Sequence, residues 1–480
     1  MRSYIILSSA IVMALAGPGC KKFLDRQPIS TSTEGNYYTN TNEVETGVIG
    51  CYAALRSVYK DDPVIVGLRS DDSYIAESES DINLIDGFKE GPTNSYVAQY
   101  WQDAYYVIRQ CNTVMKYLDR VTDTTKRKYF EGEVRFLRAH MYFNLVRLWG
   151  DVPLVTSDVA YNDTSFYRRV NTGVVYNQII ADFTAAMQLL PASWDITEVA
   201  RVTRYAAKGM LAKTYLTLKN YTASRALLQD LMDNPGPYGL QASYKNIFGL
   251  RYEMNNEIMY AVRFKGNFNN MGENFTYNMD KISGSVGYRS AGDFRGTALW
   301  PAADSIRKSS TFSTGGNYGG EYYNVAKYQD STAPKNDAGA DFIVLRYADI
   351  ILMYAEVVNE MDGAPASDAS PSLVALNKVR KRANPAATGA SALTYVYTAT
   401  AVKTQDAFRT TIKAERRREF GIEDQRWYDL LRWGDAITAM NAHFSYRNAN
   451  IVLQSYQALY PVPQREVDIS GHIITQNPGY

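Results

Sequence analysis

Residues 204–231, RYAAKGMLAKTYLTLKNYTASRALLQDL, decide the fold of this chain. Small side chains alternate with large ones along the first part of the stretch; the small ones are Ala207, Gly209 and Ala212, and the large ones are Leu211, Tyr215 and Leu218. A short KNY turn then leads into a second apolar segment that begins near Thr222. The pattern predicts a helix over residues 203–218, a tight turn and a second helix, with glycine and alanine letting the paired helices approach closely.

This alternation of small and large residues is typical of a tetratricopeptide helix–turn–helix unit. A weaker copy runs over residues 348–383, where ADIILMYAEVVNE is followed by ALNKVRKRA. No strict period of 34 residues carries across the chain. We therefore predict degenerate repeats inside a larger fold dominated by α-helices.

Helical periodicity covers most of the remaining sequence. It predicts further helices over residues 42–60, 100–118, 125–149 and 177–190. Residues 125–149 are apolar on two sides, so that helix should be buried between neighbours, and it should stop before Pro153.

Two stretches, 71–99 and 262–340, interrupt the helical pattern. The second is rich in glycine, asparagine and aromatic residues without helical spacing, which predicts loops with short strands. Loops of this length in a compact protein are usually functional. Both stretches are therefore candidate ligand-binding surfaces.

The amino terminus predicts export. Arg2 precedes an apolar run from Tyr4 to Ala16 that is too short to span a bilayer, and Cys20 directly follows Gly19. A cysteine at this junction is similar to a bacterial lipobox, in which cleavage leaves Cys20 as the acylated first residue. Gly17 stands where a lipobox normally has an aliphatic residue, so the alternative is an ordinary signal peptide with Cys20 as a plain thiol.

The overall charge and the spacing of possible metal ligands argue against several classes of function. The chain has 51 basic and 50 acidic residues and a net charge of +1, which offers no attraction for nucleic acid. Its three histidines lie far apart, so a zinc or iron site is not expected. Cys51 and Cys111 could pair in an exported protein, but a long chain with a large core favours two buried free thiols.

Four segments carry a resemblance to a known family. They are CKKFLDRQP from Cys20, EVRFLRAHMYFNLVRLWGDVPL from Glu133, ERRREFGIEDQRWYDLLRWGD from Glu415, and the terminal LYPVPQREVDISGHIITQNPGY. Together they resemble the SusD/RagB family of nutrient-capturing outer-membrane lipoproteins of Bacteroidetes, over essentially the whole mature chain.

The resemblance implies both a fold and a role. The fold would carry about four tetratricopeptide-like helical pairs, with loop and short-strand insertions forming a glycan-binding face. The protein would be lipid-anchored at Cys20 on the outer membrane, facing the exterior, and would act as a lid on a SusC-like TonB-dependent transporter barrel. The family brings no catalytic residues to carry over.

These predictions divide the chain into five parts. Residues 1–19 are a lipoprotein signal peptide, 20–41 a tether and lead-in, and 42–261 an N-terminal helical part. Residues 262–340 are the loop-rich ligand-side insertion, and 341–480 a C-terminal helical part with an extended strap. Pro461 and Pro463 should fix that strap across the last helices.

Sugar binding needs flat apolar faces beside planar polar groups. The first irregular stretch and its flank offer Arg69, Tyr74, Phe88, Asn94 and Tyr96; the second offers Tyr288, Trp300 and Tyr323, together with Phe268, Tyr277 and Tyr318. Ordinary anchoring of the loops is the alternative role for each of these residues.

One carboxylate-rich segment could suggest a glycosidase. Glu415, Glu419 and Glu423 share a helical face, and paired carboxylates perform glycoside hydrolysis. Five arginines lie in the same segment, at positions 416, 417, 418, 426 and 432. They should lower the carboxyl pKa values, which is the wrong direction for a general acid, so we predict a structural ionic network with Trp427 and Trp433 packed on it.

A second acidic cluster, Asp71, Asp72, Glu77, Glu79 and Asp81, offers oxygen ligands for calcium but matches no known loop pattern. A solvated acidic loop is the favoured interpretation, and no other cofactor is expected.

The sequence therefore predicts a non-catalytic binding protein that captures an oligosaccharide. Abundant tyrosine and asparagine in the loops favour sugar over peptide, which stays open as a ligand within the same family. A glycoside hydrolase and a purely protein-binding tetratricopeptide scaffold are the alternatives from other classes.

Overall fold

The computed structural model describes residues 37–75, 80–159, 163–267, 271–273, 275–276, 288–290, 294, 299–301, 304–312, 325–328, 337–384 and 395–480. Within these ranges the α-helices are α1 Thr41–Tyr59, α2 Asp62–Ile65, α3 Asp81–Asp86, α4 Ser95–Lys116, α5 Thr124–Trp149, α6 Thr172–Leu189, α7 Arg204–Thr217, α8 Tyr221–Asp233, α9 Ser305–Thr311, α10 Tyr347–Asp362, α11 Pro371–Ala383, α12 Gln405–Phe420, α13 Arg426–Trp433, α14 Ala436–Tyr446 and α15 Gln464–Ile469.

The strands are short and pair two by two in antiparallel fashion. They are β1 Ser73–Ile75 with β5 Tyr288–Ser290, β2 Val152–Pro153 with β3 Arg169–Val170, and β4 Ile258–Val262 with β6 Phe342–Arg346. The first pair joins the two irregular stretches, since Tyr74 lies opposite Arg289.

In the described part of the chain, four helical pairs form the body: α1 with α4, α5 with α6, α7 with α8, and α10 with α11. Successive pairs pack on each other through α4 and α5, α6 and α7, and α8 and α10. The prediction of a helical fold with about four tetratricopeptide-like pairs is confirmed.

The stretch at 204–231 folds into α7 and α8, and its small residues have two different neighbours. A Cβ at Gly209 would lie 2.8 Å from Leu345 Cδ2 and 2.9 Å from Ile350 Cδ1, so this glycine admits β6 and α10. The paired helix instead meets Ala212, whose carbonyl oxygen accepts a hydrogen bond from Ser224 Oγ at 2.9 Å. Close packing at the small residues was predicted correctly, but at Gly209 the neighbours are β6 and α10 instead of the paired helix α8.

Cys51 on α1 and Cys111 on α4 are buried free thiols, as predicted. The pKa of Cys51 is raised well above its usual value by the hydrogen bond with Cys111 and by burial.

The C-terminal strap lies in a different place from the one predicted. Tyr460 N donates to Leu148 O at 2.8 Å, and Trp149 Nε1 donates to Pro461 O at 2.9 Å. The side chain of Asn477 donates to the carbonyl oxygens of Trp149 and Tyr460. The strap and the terminal QNPGY therefore close the C-terminal end of α5, because they satisfy carbonyl groups that the helix itself leaves unpaired.

Within the described part of the chain, none of the helices combines the length and the apolar character needed to cross a bilayer.

Candidate ligand-binding site

Four of the predicted glycan contacts lie in the protein interior. Arg69 is fully buried, and Tyr74, Phe88 and Asn94 are at most 3% exposed. The prediction treated residues 71–99 as a solvent-facing loop, whereas β1 and the last two residues of α3, Ile85 and Asp86, are buried. This burial argues against ligand contact for all four side chains.

Arg69 has a structural environment that accounts for its burial. Its guanidinium lies 3.7 Å from the ring centroid of Tyr460 and 4.5 Å from that of Phe88. It forms an ion pair with the buried carboxylate of Glu90 and donates to Gln457 O at 2.5 Å. The residue therefore links the C-terminal strap to the turn that follows α2.

Asn94 is the N-cap of α4, where its side-chain oxygen accepts hydrogen bonds from Tyr96 N and Val97 N. This cap starts the helix at Ser95, five residues before the predicted start. Tyr96 itself is partly exposed.

The second group of candidates is only partly described. Trp300 is 7% exposed, and its Nε1 donates to Phe294 O at 2.8 Å. Tyr288 contributes backbone to β5, opposite Ile75. The other predicted residues lie outside the described residues: Cys20, Phe268, Tyr277, Tyr318 and Tyr323.

Glu415 and Glu419 stand at the centre of a buried ionic network. Arg307 Nη1 lies 2.9 Å from a carboxylate oxygen of each, and Arg380 Nη1 lies 2.8 Å from Glu415. Arg346 Nη1 lies 2.6 Å from Glu419 Oε1, and Arg382 also contacts that oxygen.

The pKa values in this network follow the predicted direction. Burial alone would raise them, but the surrounding guanidiniums hold the pKa of Glu415 well below its usual range and lower that of Glu419 to about 2. A general acid needs the opposite shift, so these two carboxyl groups are poorly suited to proton donation.

Sequence analysis did not identify most of the arginines that surround Glu415 and Glu419. The main partners, Arg307, Arg346, Arg380 and Arg382, come from distant segments. Of the five arginines in the same segment as the glutamates, Arg418 contacts Glu415. The other four form ion pairs with different carboxylates: Arg416 with Asp349 and Asp429, Arg417 with Asp71 and Asp72, Arg426 with Asp71, and Arg432 with Glu356 and Asp429.

These pairs also account for part of the acidic cluster considered for calcium. Asp71 and Asp72 are buried against Arg417 and Arg426 instead of forming a solvated loop, and Asp81 accepts from Ser95 N at 2.8 Å. Glu77 and Glu79 lie outside the described residues. In the part of the chain that the structure describes, histidine, cysteine, aspartate and glutamate side chains form no group of three or more suited to a metal ion.

An open groove of about 710 Å³ lies where the loop-rich insertion meets the helical body. Its volume is in the range of small-molecule sites. It is lined by Arg56 at the end of α1, the turn 196–200, Leu250, Glu253, and the chain segments 263–267, 271 and 337–339. We call this the insertion groove. Sequence reasoning did not find it, because its walls come from segments far apart along the chain.

Hydrogen bonds within the insertion hold one wall of the insertion groove. Lys265 N donates to Met271 O at 3.0 Å, and Gly272 N donates to Asp337 Oδ1 at 3.0 Å. A Cβ at Gly266 would lie 2.8 Å from the Asp337 carbonyl oxygen, so this wall requires the close approach that glycine allows.

The insertion groove combines apolar surface with charge. Ile196 is 80% exposed and Leu250 48%. Arg263 forms ion pairs at 2.8 Å with Glu253 and with Asp341, which lies behind the wall. Burial raises the pKa of Asp341 to about 7, although Arg263 opposes the shift. Such a surface can hold the apolar face of a ligand while polar groups bind its substituents.

Two family models match the chain. The SusD family model matches residues 206–480, and a model described as starch-binding and associating with the outer membrane matches residues 22–216. The chain belongs to the SusD family. The resemblance inferred from the four sequence segments is therefore confirmed.

Individual relatives of this SusD-family chain are distant but cover its length. SusD-like protein P25 of Formosa agariphila is 24% identical, over 96% of each chain. A SusD homologue from Bacteroides thetaiotaomicron superposes with a TM-score of 0.81 at 22% identity, over 95% of this chain and 99% of that one. Surface glycan-binding protein A of the same organism, solved in complex with laminarihexaose, gives a TM-score of 0.73 at 21% identity, over 92% of this chain and all of that one.

Proposed function

We propose that this protein binds an oligosaccharide at the cell surface, leaves it uncleaved, and passes it to a TonB-dependent transporter of the outer membrane. The observation that carries the proposal is the insertion groove, a ligand-sized space walled by the loop-rich insertion of a SusD-family fold. The glycan complex of a structural relative supports sugar as the ligand. The low carboxyl pKa values of Glu415 and Glu419 support binding over hydrolysis at that cluster.

The proposed location is the outer membrane, with lipid attached at Cys20 and the binding site facing outward. The family description that associates residues 22–216 with that membrane supports the location. Between Cys20 and the first described residue, Tyr37, the lead-in is long enough to reach about 50 Å when extended. The body of the protein could therefore sit over a transporter barrel while it remains tethered.

The proposed binding site is the insertion groove, and the predicted aromatic contacts outside its lining stay predictions. Tyr96, Tyr288 and Tyr323 keep their predicted role as glycan contacts, whereas Arg69, Tyr74, Phe88 and Asn94 are assigned to the core. The ligand side of the protein is thus formed by the insertion itself more than by residues 71–99.

Calorimetric titration of the soluble protein, lacking residues 1–20, tests this function. We expect saturable binding of at least one member of an oligosaccharide panel, no release of reducing sugar, and no binding of matched peptides. In a second arm, a SusC-like TonB-dependent transporter barrel from the same organism, purified in detergent, should bind the protein with measurable heat. Peptide binding alone, or release of reducing sugar by the purified protein, would replace this proposal with the corresponding alternative.

A further inference from the structure

The insertion groove contains a guanidinium, that of Arg56, which has no ion-pair partner among the described residues. Arg56 Nε donates to Arg263 O at 2.8 Å, which fixes the guanidinium at the groove. Among the described residues, no carboxylate lies within ion-pair distance of Arg56. The residue is half-buried, and burial lowers the pKa of its guanidinium although the charge of Asp341 opposes this. No described residue accepts a hydrogen bond from its terminal nitrogens, which can therefore bind a ligand.

The other charged groups around the insertion groove have protein partners. Arg263 is held between Glu253 and Asp341, and Asp337 Oδ1 accepts from Gly272 N. Lys265 also interacts with the protein. Among the described residues of this lining, the Arg56 guanidinium has no carboxylate within ion-pair distance, so it can pair with a ligand's carboxylate.

Apolar side chains in the same groove offer a surface on which a sugar ring can pack. Ile196, Val199 and Leu250 expose aliphatic surface into it. A pyranose ring has an apolar C–H face, and a uronic acid adds a carboxylate in the plane of that ring. A guanidinium binds a carboxylate with two parallel, charge-assisted hydrogen bonds.

We infer that the insertion groove selects an acidic oligosaccharide, with the carboxylate of a uronic acid residue bound by Arg56 and its ring against the aliphatic surface. This inference rests on the proposed glycan-binding function and adds the class of sugar. Arg56 acts as a specificity residue because a neutral sugar leaves its half-buried charge uncompensated.

The test compares acidic oligosaccharides with their uncharged methyl esters. Tetramers derived from polygalacturonate, alginate and hyaluronan are titrated by calorimetry, and the monosaccharides glucuronate and galacturonate with their methyl esters are titrated by NMR. The monosaccharides make the result independent of glycosidic linkage. At least one free acid should bind about tenfold or more tightly than its ester, as expected for hydrogen bonds to a charged group.

Variants assign that preference to Arg56. Arg56→Gln should lower affinity for the acid about tenfold or more, Arg56→Lys should restore part of it, and binding of the ester should change little. Ile196→Glu changes a largely exposed side chain, so the fold should be kept while a carboxylate is added to the groove; it too should weaken binding of the acid. Arg465→Gln removes a surface charge outside the groove lining and is the control.

The possible failures can be told apart. If neutral oligosaccharides bind and the acids bind no more tightly, the acid-selectivity inference is overturned and the proposed function stands. If no sugar of either kind binds, the proposed function itself fails. Binding of peptide C-termini that is lost in Arg56→Gln would overturn the uronate assignment, and unchanged acid binding in Arg56→Gln would overturn the role of Arg56.

Discussion

Replacing Glu419 by glutamine is expected to destabilise the protein by about 3–5 kcal/mol, the usual cost of breaking a buried ion pair by removing one partner. Glu419 is fully buried and contacts the guanidiniums of Arg307, Arg346 and Arg382. The amide keeps the shape of the carboxylate but leaves buried positive charge uncompensated. Urea unfolding at pH 7 measures the loss of unfolding free energy.

The pH dependence gives this prediction a second readout. The pKa of Glu419 is lowered from 4.5 in the unfolded chain to about 2 in the fold. Its stabilising contribution is therefore complete above about pH 4.5 and is lost as the pH falls through 2. The difference in stability between wild type and Glu419→Gln should shrink as the pH falls below 4.5.

The control for the network is Asp406→Asn, which removes a carboxylate that is 85% exposed from its pair with Arg409. That change should cost less than about 1 kcal/mol. Equal stability of Glu419→Gln and wild type at pH 7 would contradict the assignment of a structural role to this network.

Replacing Arg69 by leucine should also cost about 3–5 kcal/mol, because it leaves the buried carboxylate of Glu90 without its partner. The change also removes the hydrogen bond to Gln457 O and the cation–π contact with Tyr460. Thermal and urea unfolding should both report the loss, and the folded protein should bind oligosaccharide as wild type does.

This variant distinguishes the two roles considered for Arg69. Lys116→Gln, which removes a half-exposed partner of Asp158, is the matched control and should change stability by less than about 1 kcal/mol. If Arg69→Leu lost sugar affinity while it kept wild-type stability, Arg69 would be a ligand contact, as the sequence first suggested.

Local patterns were enough to predict the helical body. Apolar spacing predicted helices close to α1, α5, α7 and α8, because that spacing is a property of each segment alone. The first residues of the helices were predicted less accurately. α4 begins before its apolar pattern does, because the side chain of Asn94 accepts hydrogen bonds from the backbone N–H groups of the first turn.

Contacts between distant residues explain why the site could not be predicted in the same way. Arg69 meets Gln457 across 388 positions of sequence, and Arg346 meets Glu419 across 73. A cluster of arginines predicted the direction of the glutamate pKa shifts, but the partners that cause them depend on tertiary packing. The insertion groove is likewise defined only once Arg56, the turn 196–200 and residues 337–339 come together.

A crystal structure with the tightest-binding oligosaccharide tests the central claim most directly, because that claim is capture of an intact sugar in the insertion groove. The account predicts an uncleaved oligosaccharide lying against Ile196 and Leu250 and within hydrogen-bond reach of Arg56. A cleaved sugar, or an intact one bound only at a surface away from this groove, would contradict it.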